Sequence, residues 1–434
     1  IVKRGFGTWP ASQDYDADGQ YAEQLASRAT PQILATRPLM IMPTNSRGHG
    51  VEVSGSQRVS IFTATHSNLF LREAYESIKD QPFHEWIVVF NNGGIATDFG
   101  DSRVKPHVLY KAPEMIGTLK AYACDQATGD ILLELDSDDL LLPDAVTEVQ
   151  RAFEDPAIGF VYSNSLQAMG DLSKRERFSE IYGWRYRTVN FRGWELDELV
   201  AFPPEPASVS RIWYAPDHLR AFRRSVYNRI GGYGRDLKVL DDGDLIIRMY
   251  LETEFAHIDK PLYLYRVHGQ NGWLRFNKEI QDGVYPLYDK YISRIVDRWA
   301  AKNDLPAVKV TSEASLHAPE SSVGVFYAED VFPKMRCPHQ VMTQCYHALA
   351  PGGWLLCQVP STDGRGAFQD PRHVSYWNEN SFLYYTSAKS GYLDSAPMFQ
   401  AVRLYTTERD REQMCWTIAH LVSLKDGYRP PGPL

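Results

Sequence analysis

Short apolar runs alternate with helix-forming stretches from Arg58 onward, and this alternation constrains the fold more than any other feature of the chain. Val59-Ser60-Ile61-Phe62-Thr63-Ala64 reads as a strand, and a helix runs through Leu71-Arg72-Glu73-Ala74-Tyr75. Trp86-Ile87-Val88-Val89-Phe90 is a second buried strand, and Val108-Leu109-Tyr110 a shorter third. A helix over about 116–127 leads into Ile131-Leu132-Leu133, a strand that ends at Asp136. A helix from Pro143 to about Phe153 follows, then a strand at Phe160-Val161-Tyr162. This order predicts a mostly parallel α/β sheet. Open α/β sheets bind ligands beyond the carboxyl ends of their strands. The residues that follow each strand therefore carry the functional argument.

The sharpest such segment is Leu135-Asp136-Ser137-Asp138-Asp139. Carboxylates one residue apart repel unless a cation or solvent separates them. Mg²⁺ and Mn²⁺ take oxygen ligands of this kind and usually share them with phosphates. The stretch reads as a metal–diphosphate site, or else as an acidic turn capping the next helix. A second cluster, Leu240-Asp241-Asp242-Gly243-Asp244-Leu245, precedes the helical start Ile246-Ile247-Arg248. Asp241 or Asp244 can satisfy helix N-terminal amides. That leaves Asp242 as the acid best placed to face a cleft as a base. The apolar strand over 261–267 ends in His268, which is either structural or a metal or phosphate contact.

A chain of 434 residues with 44% apolar content can bury two or three domains. Its formal net charge of -8 argues against broad attraction to nucleic acid or membrane surfaces. The 5 cysteines are scattered with no C-x-x-C pair, so neither a zinc site nor a disulfide framework is expected and a reducing compartment fits. No apolar run reaches transmembrane length, and the default expectation is a cytoplasmic protein. Residues 1–57 read as an N-terminal extension or lid-like arm. Residues 165–216 read as an irregular segment. It interleaves Trp184, Tyr186, Trp194, Trp213 and Tyr214 with Arg175, Arg177, Arg185, Arg187, Arg192 and Arg211. Such a segment suits an acceptor region, or else a solvated lid holding a few core aromatics. An amphipathic helix covers 276–300. The expected division is 1–57, a main domain over 58–300, a linker over 301–318, and a second α/β-like domain over 319–434. The tail from Tyr428 is expected to be disordered.

Over about 58–275 the motif order resembles the inverting family 2 glycosyltransferases of the GT-A fold. The carriers are 59–66, Gly117 with Lys120, Gly129-Asp130-Ile131 leading into Asp136-Ser137-Asp138-Asp139, Phe222-Arg223-Arg224-Ser225 with Ile230-Gly231-Gly232-Tyr233, 241–245, and 261–268. The resemblance implies a Rossmann-like, mostly parallel sheet and a metal-dependent transfer of a sugar from a nucleotide-sugar to an acceptor hydroxyl. It assigns Mn²⁺ or Mg²⁺ to Asp138, with Asp136 reaching the ribose or the metal and His268 joining the metal or the diphosphate. Thr63, Ala64, Thr65 and His66 match the loop over the nucleotide base, Ser137 lies within the Asp-x-Asp motif, and Lys120 sits where a basic residue approaches the donor. Asp242 matches the acid that acts as general base, with Asp241 beside it as a second catalytic candidate. Two departures bear on the donor. Asn91-Asn92-Gly93-Gly94 stands where an acid usually accepts the uracil N3–H, and Ala64 replaces the usual proline. An Asn amide can still accept through its oxygen, so a UDP-sugar stays the first choice. The other reading of the same fold is a catalytically silent glycan- or nucleotide-binding protein. A glycan, a protein or a nucleic acid all remain open as acceptor.

Residues 319–424 carry a second resemblance. Residues 322–331, Pro351-Gly352-Gly353 before an apolar strand, and Asp370-Pro371-Arg372-His373-Val374 are similar to the second half of a class I SAM-dependent methyltransferase. The glycine-rich loop that would hold SAM is absent. About eighteen residues separate the two parts, fewer than the thirty or so of one βαβ unit. The expectation is a degenerate, partial Rossmann-like domain with no SAM binding. Its open sheet edge is covered by the main domain or by a second copy in a homodimer.

Overall fold

The computed structural model describes residues 57–91, 96–109, 115–173, 177–191, 193–269, 271–386 and 398–431. The expectations for 1–56, Asn92-Gly93-Gly94, Tyr110, Arg175 and Arg192 lie outside the described residues.

The first half builds a ten-stranded sheet. Its elements run β1 (Val59–Thr65), α1 (Leu71–Ile78), β2 (Glu85–Asn91), β3 (Val104–Leu109), α2 (Ile116–Gln126), β4 (Ile131–Glu134), β5 (Leu140–Leu141), α3 (Ala145–Ala152) and β6 (Ile158–Met169). Then come β7 (Arg185–Phe191), β8 (Trp194–Val200), α4 (Pro206–Arg211), β9 (Arg220–Arg223), α5 (Arg224–Arg229), α6 (Asp241–Glu252), β10 (Glu254–Val267) and α7 (Asn277–Lys302). The main path is β3-β2-β1-β4-β9-β6-β10-β5, with the β7–β8 hairpin leaving β6. β3, β2, β1 and β4 are parallel, as are β6 and β10. β9 runs antiparallel between β4 and β6.

Both faces of the central strands are covered, which is why their sequences are nearly continuous apolar runs. Strand alternation sends Phe62, Val89 and Leu132 into one core and Ile61, Val88 and Leu133 into the other. On α1 the residues Leu71, Ala74, Tyr75 and Ile78 are buried, at the spacing of one helical face.

Three expectations are corrected here. The stretch 165–216 is largely regular. β6 continues to Met169, and β7 and β8 pair from Arg185↔Val200 to Phe191↔Trp194. Neither face of 185–191 is uniformly apolar, since Arg185, Arg187, Val189 and Phe191 alternate with Tyr186, Thr188 and Asn190. Arg177, ahead of the hairpin, lies 2.8 Å from Asp197 on β8, and Arg187 on β7 lies 2.9 Å from Asp259 on β10. The aromatics Trp184, Phe202, Tyr182 and Tyr186 instead form a small core with Leu199 and Ile212. The linker 301–318 holds β11 (Ala307–Lys309), which pairs with the next strand. The tail is not loose as far as Pro431. Tyr428 donates a 2.7 Å hydrogen bond to Glu205, and Pro430 is buried.

The second half adds β12 (Val323–Glu329), α8 (Pro338–Ala348), β13 (Leu349–Pro360), α9 (Gly366–Gln369), α10 (Glu379–Leu383), β14 (Phe399–Thr406) and β15 (Trp416–Ser423). Its sheet is mixed and has five strands in the order β11-β12-β13-β15-β14. It packs on α7 through Val325, Trp354, Val402 and Val422 against Tyr288, Ile292 and Val296. Both sheets belong to one compact unit, Ser56–Leu434. Among the described residues no helix is long and apolar enough to cross a membrane.

Candidate active site

β1 and β4 end side by side, so the loop after each opens on the same sheet rim. β4 stops at Glu134, and the acids after it occupy a turn rather than a helix cap. Asp139 is buried. Its carboxylate accepts from the Tyr263 hydroxyl at 2.9 Å and from the Arg266 amide at 2.7 Å. Tyr263 in turn accepts from the Asp136 amide at 3.1 Å. These bonds pin the turn to β10 and leave Asp136, Ser137 and Asp138 partly exposed at the rim.

Asp138 and His268 come together, with Nε2 of His268 2.8 Å from Oδ2 of Asp138. Asp136 does not join them, since no choice of ligand atoms brings all three within 4.8 Å of one another. The nearest imidazole to Asp136 is His218, 3.8 Å away. Burial raises the Asp136 carboxyl above the ordinary range. Lys120 opposes this, while Glu134, Asp138 and Asp242 add to it.

Beside this turn lies a buried charge cluster. Lys120, 6% exposed on α2, is 2.6 Å from Glu134, 3.1 Å from Asp241 and 2.7 Å from Asp242. Arg220, from β9, is 2.6 Å from Asp242 and 3.4 Å from Glu134. Burial works against the charge on Lys120, but the three carboxylates outweigh it and hold its pKa well above the usual value. Asp242 is driven well below the carboxylate range. Burial resists this, and Lys120, Arg220 and His218 prevail. Asp241 is pushed up, by burial first and then by the charge on Asp242. The two neighbours are thus split, with Asp241 harder to ionise and Asp242 easier.

All three acids of the second cluster lie in the first turn of α6, where the helix dipole favours them, while Leu240 holds the N-cap position and makes no side-chain cap bond. Asp244 turns instead to Arg248 at 2.6 Å and accepts from Tyr291 at 2.9 Å. Asp241 and Asp242 face Lys120.

The remaining sequence candidates divide in two. Thr63 is fully buried; its hydroxyl donates to Leu135 C=O and accepts from the Trp86 indole, so it braces the sheet. Thr65 closes a turn with Ser67. Ala64 is partly buried, and exposed His66 borders a cavity of about 350 Å³ with Gly269, Leu274 and Arg275. Asn91 is buried with its Oδ1 lacking any hydrogen-bond partner among the described residues. Sequence reasoning missed Glu134, Arg220, His218 and Tyr263. An acid standing between Leu133 and Leu135 in an apolar stretch is the signal that could have found Glu134.

A divalent cation fits this rim on the chemistry of its donors. Asp138 offers a carboxylate oxygen and His268 an imidazole nitrogen within hydrogen-bond distance of each other.

Residues 60–231 match the family described as Glycosyl transferase family 2. The uncharacterized protein MT1568 of Mycobacterium tuberculosis (strain CDC 1551 / Oshkosh) is 24% identical over 140 residues, 32% of this chain and 43% of that protein. The chain therefore spans less than half the length of this relative. Among solved structures, S. aureus TarS 1-349 aligns at a TM-score of 0.38 and 16% identity, over 56% of this chain and 72% of TarS 1-349. The mannosyltransferase PcManGT from Pyrobaculum calidifontis, solved with GDP-Man and Mn²⁺, aligns at 0.36 and 16%, over 60% of this chain and 74% of its own. Residues 60–231 thus carry a glycosyl transferase family 2 domain, within an N-terminal sheet of the Rossmann-like GT-A kind.

Proposed function

We propose that the chain moves a sugar from a nucleotide-sugar, a UDP-sugar by first choice, to an acceptor hydroxyl with inversion at the anomeric carbon. One observation carries this reading. Acids from two remote segments, Glu134 with Asp136 and Asp241 with Asp242, gather around Lys120 and Arg220 at the rim where Asp138 meets His268.

Asp138 and His268 would hold Mn²⁺ or Mg²⁺, with Asp136 free to reach the donor. When bound, such an ion supplies Lewis-acid neutralisation of the departing diphosphate. Asp242 stays anionic at neutral pH because Lys120 and Arg220 hold it so. It accepts the acceptor's proton late, once bond formation has made that proton acidic. Lys120 and Arg220 meanwhile fix the carboxylate's position. The bare Oδ1 of Asn91 is a buried acceptor at the end of β2, suited to a base N–H such as that of uracil. The second sheet acts as a packing module without SAM chemistry, and isothermal calorimetry with SAM should show no heat of binding.

A panel of nucleotide-sugars with Mn²⁺ should reveal one donor that is slowly hydrolysed and raises the melting temperature. Asp138→Ala should abolish that turnover and keep the near-UV circular dichroism of the parent. Turnover that survives in Asp138→Ala would refute the site, and a panel with no responding donor would refute the enzyme.

A further inference from the structure

A second group of ligating side chains lies far from this rim, in the sheet of residues 307–423. Asp330 follows β12, and Asp370 and His373 lie in the loop after α9. One atom from each can be chosen so that all three lie within 4.8 Å of one another. Among the described residues this is the one such triple of His, Cys, Asp or Glu.

The His373 side chain is 3% exposed. Its Nδ1 lies 3.0 Å from the Ala367 carbonyl, which makes that nitrogen the donor. The other nitrogen, Nε2, is buried with no hydrogen-bond partner. It faces Oδ1 of Asp330 at 3.6 Å and Oδ2 of Asp370 at 3.7 Å. Asp330 Oδ1 is also buried and unpartnered. A lone pair therefore points at two carboxylate oxygens, with nothing donated between them. Burying such groups unsatisfied is costly. A proton on Nε2 would not close the gap, because both distances exceed hydrogen-bond reach. A metal ion bonded at about 2.0–2.2 Å sets its ligands roughly 3.0–3.5 Å apart, a small inward movement from the 3.6 Å and 3.7 Å seen at Nε2.

The flanking contacts aim these atoms. Lys334 holds the other oxygen of Asp330 at 2.9 Å, and the Arg372 guanidinium donates to both oxygens of Asp370, at 3.0 Å to Oδ1 and at 2.6 Å to the Oδ2 that faces His373 and would be shared with the ion. The imidazole Nδ1–H bond to a backbone carbonyl is the orientation that metal-bound histidines adopt. Asp330 is 39% exposed, so solvent reaches the carboxylate side.

We infer that Asp330, Asp370 and His373 bind one divalent transition ion, with zinc the best match to one imidazole and two carboxylates and with water completing the shell. The ion ties the end of β12 to the loop after α9. Phe368 on α9 and Tyr376 in that loop are both exposed, and their rings lie 5.1 Å apart.

The test is Zn²⁺ calorimetry on the full chain in an Asp138→Ala background, which removes the rim site from the measurement. One zinc should bind per chain. Asp330→Asn or His373→Ala, added to that background, should weaken it by at least about tenfold, since loss of a supporting partner alone costs that much. X-ray absorption of the bound zinc should show a nitrogen–oxygen shell with a single imidazole. The isosteric Asp330→Asn keeps the test valid if His373→Ala fails to fold. Folded Asp138→Ala protein that takes up no zinc overturns the inference, as does uptake unchanged by Asp330→Asn.

Discussion

Lys120 is one ammonium among three carboxylates, and its loss would cost more than any other single change near the rim. Without it Glu134 and Asp242 would share Arg220 alone, and Asp241 would lose the ammonium 3.1 Å away, all in a buried setting. Breaking a buried pair by removing one partner costs about 3–5 kcal/mol. Lys120→Met should therefore lower the urea midpoint by that order of stability. Asp242→Asn separates chemistry from folding, because Lys120 and Arg220 keep Glu134 as partner. Its kcat should fall about 10²–10⁴-fold, the usual contribution of a positioned base, while donor KM moves little. Equal kcat in parent and variant would remove Asp242 from the mechanism. Asp241 and Asp242 were legible as an acidic cluster before a helical start, and Lys120 only through the family resemblance. The sequence did not reveal Arg220 or Glu134 as partners. Their meeting depends on β9 inserting antiparallel beside β4, with Leu133 opposite Ala221, and that pairing spans nearly ninety residues.

At the scale of elements, close approaches set where α2 holds its lysine. A Cβ on Gly117 would lie 2.0 Å from the Gly234 carbonyl oxygen, a backbone atom that cannot step aside. Gly117 also donates its amide to Leu237 at 3.1 Å. Helix propensity alone favours Ala over Gly by about 1 kcal/mol. The clash wins, and Gly117→Ala should destabilise by about 1–3 kcal/mol in thermal melts, as overpacking does. It should also depress donor turnover, because Lys120 sits less than one turn further along. Gly231 is the control. Its φ of +86° is strained for any side chain, but open space surrounds it, so Gly231→Ala should cost about 1 kcal/mol and spare turnover. Equal effects of the two substitutions on turnover would show that the α2 contact does not position Lys120. The helices and parallel strands were readable from periodicity, since the core alternates on both faces. The β7–β8 hairpin was not, because its arginines find acids on neighbouring strands and its aromatics build a local core, so neither face reads as apolar against polar.

Across the whole molecule the second sheet reaches the candidate base through two helices. It packs on α7, and Tyr291 of α7 donates to Asp244 in the first turn of α6, two residues after Asp242. His420 on β15 sits in this contact, partly buried, with its Nδ1 2.9 Å from the hydroxyl of fully buried Tyr288. Burial first, and then Arg403, press its pKa down to about 3. A histidine whose folded pKa is depressed is neutral in the native state and protonates more readily once unfolded. Above about pH 6.5 both states are neutral and the contact is at full strength. Between about 6.5 and 3 the unfolded chain binds the extra proton, so stability falls as the pH falls. The slope from this one group is at most about 1.4 kcal/mol per pH unit. His218 and His257 are also depressed, by burial first, and act in the same direction. His420→Asn isolates the contribution of β15, since its amide oxygen can still accept from Tyr288 while nothing there titrates. Urea unfolding of both proteins at pH 7.5, 6.0 and 5.0 should show the parent losing more stability than the variant across that span. Donor turnover in the parent, measured under the same conditions, should track that loss as α7 loosens from α6. Parallel stability curves for the two proteins would mean that His420 is protonated or solvated in the native state, and that the second sheet does not couple to the rim through this contact.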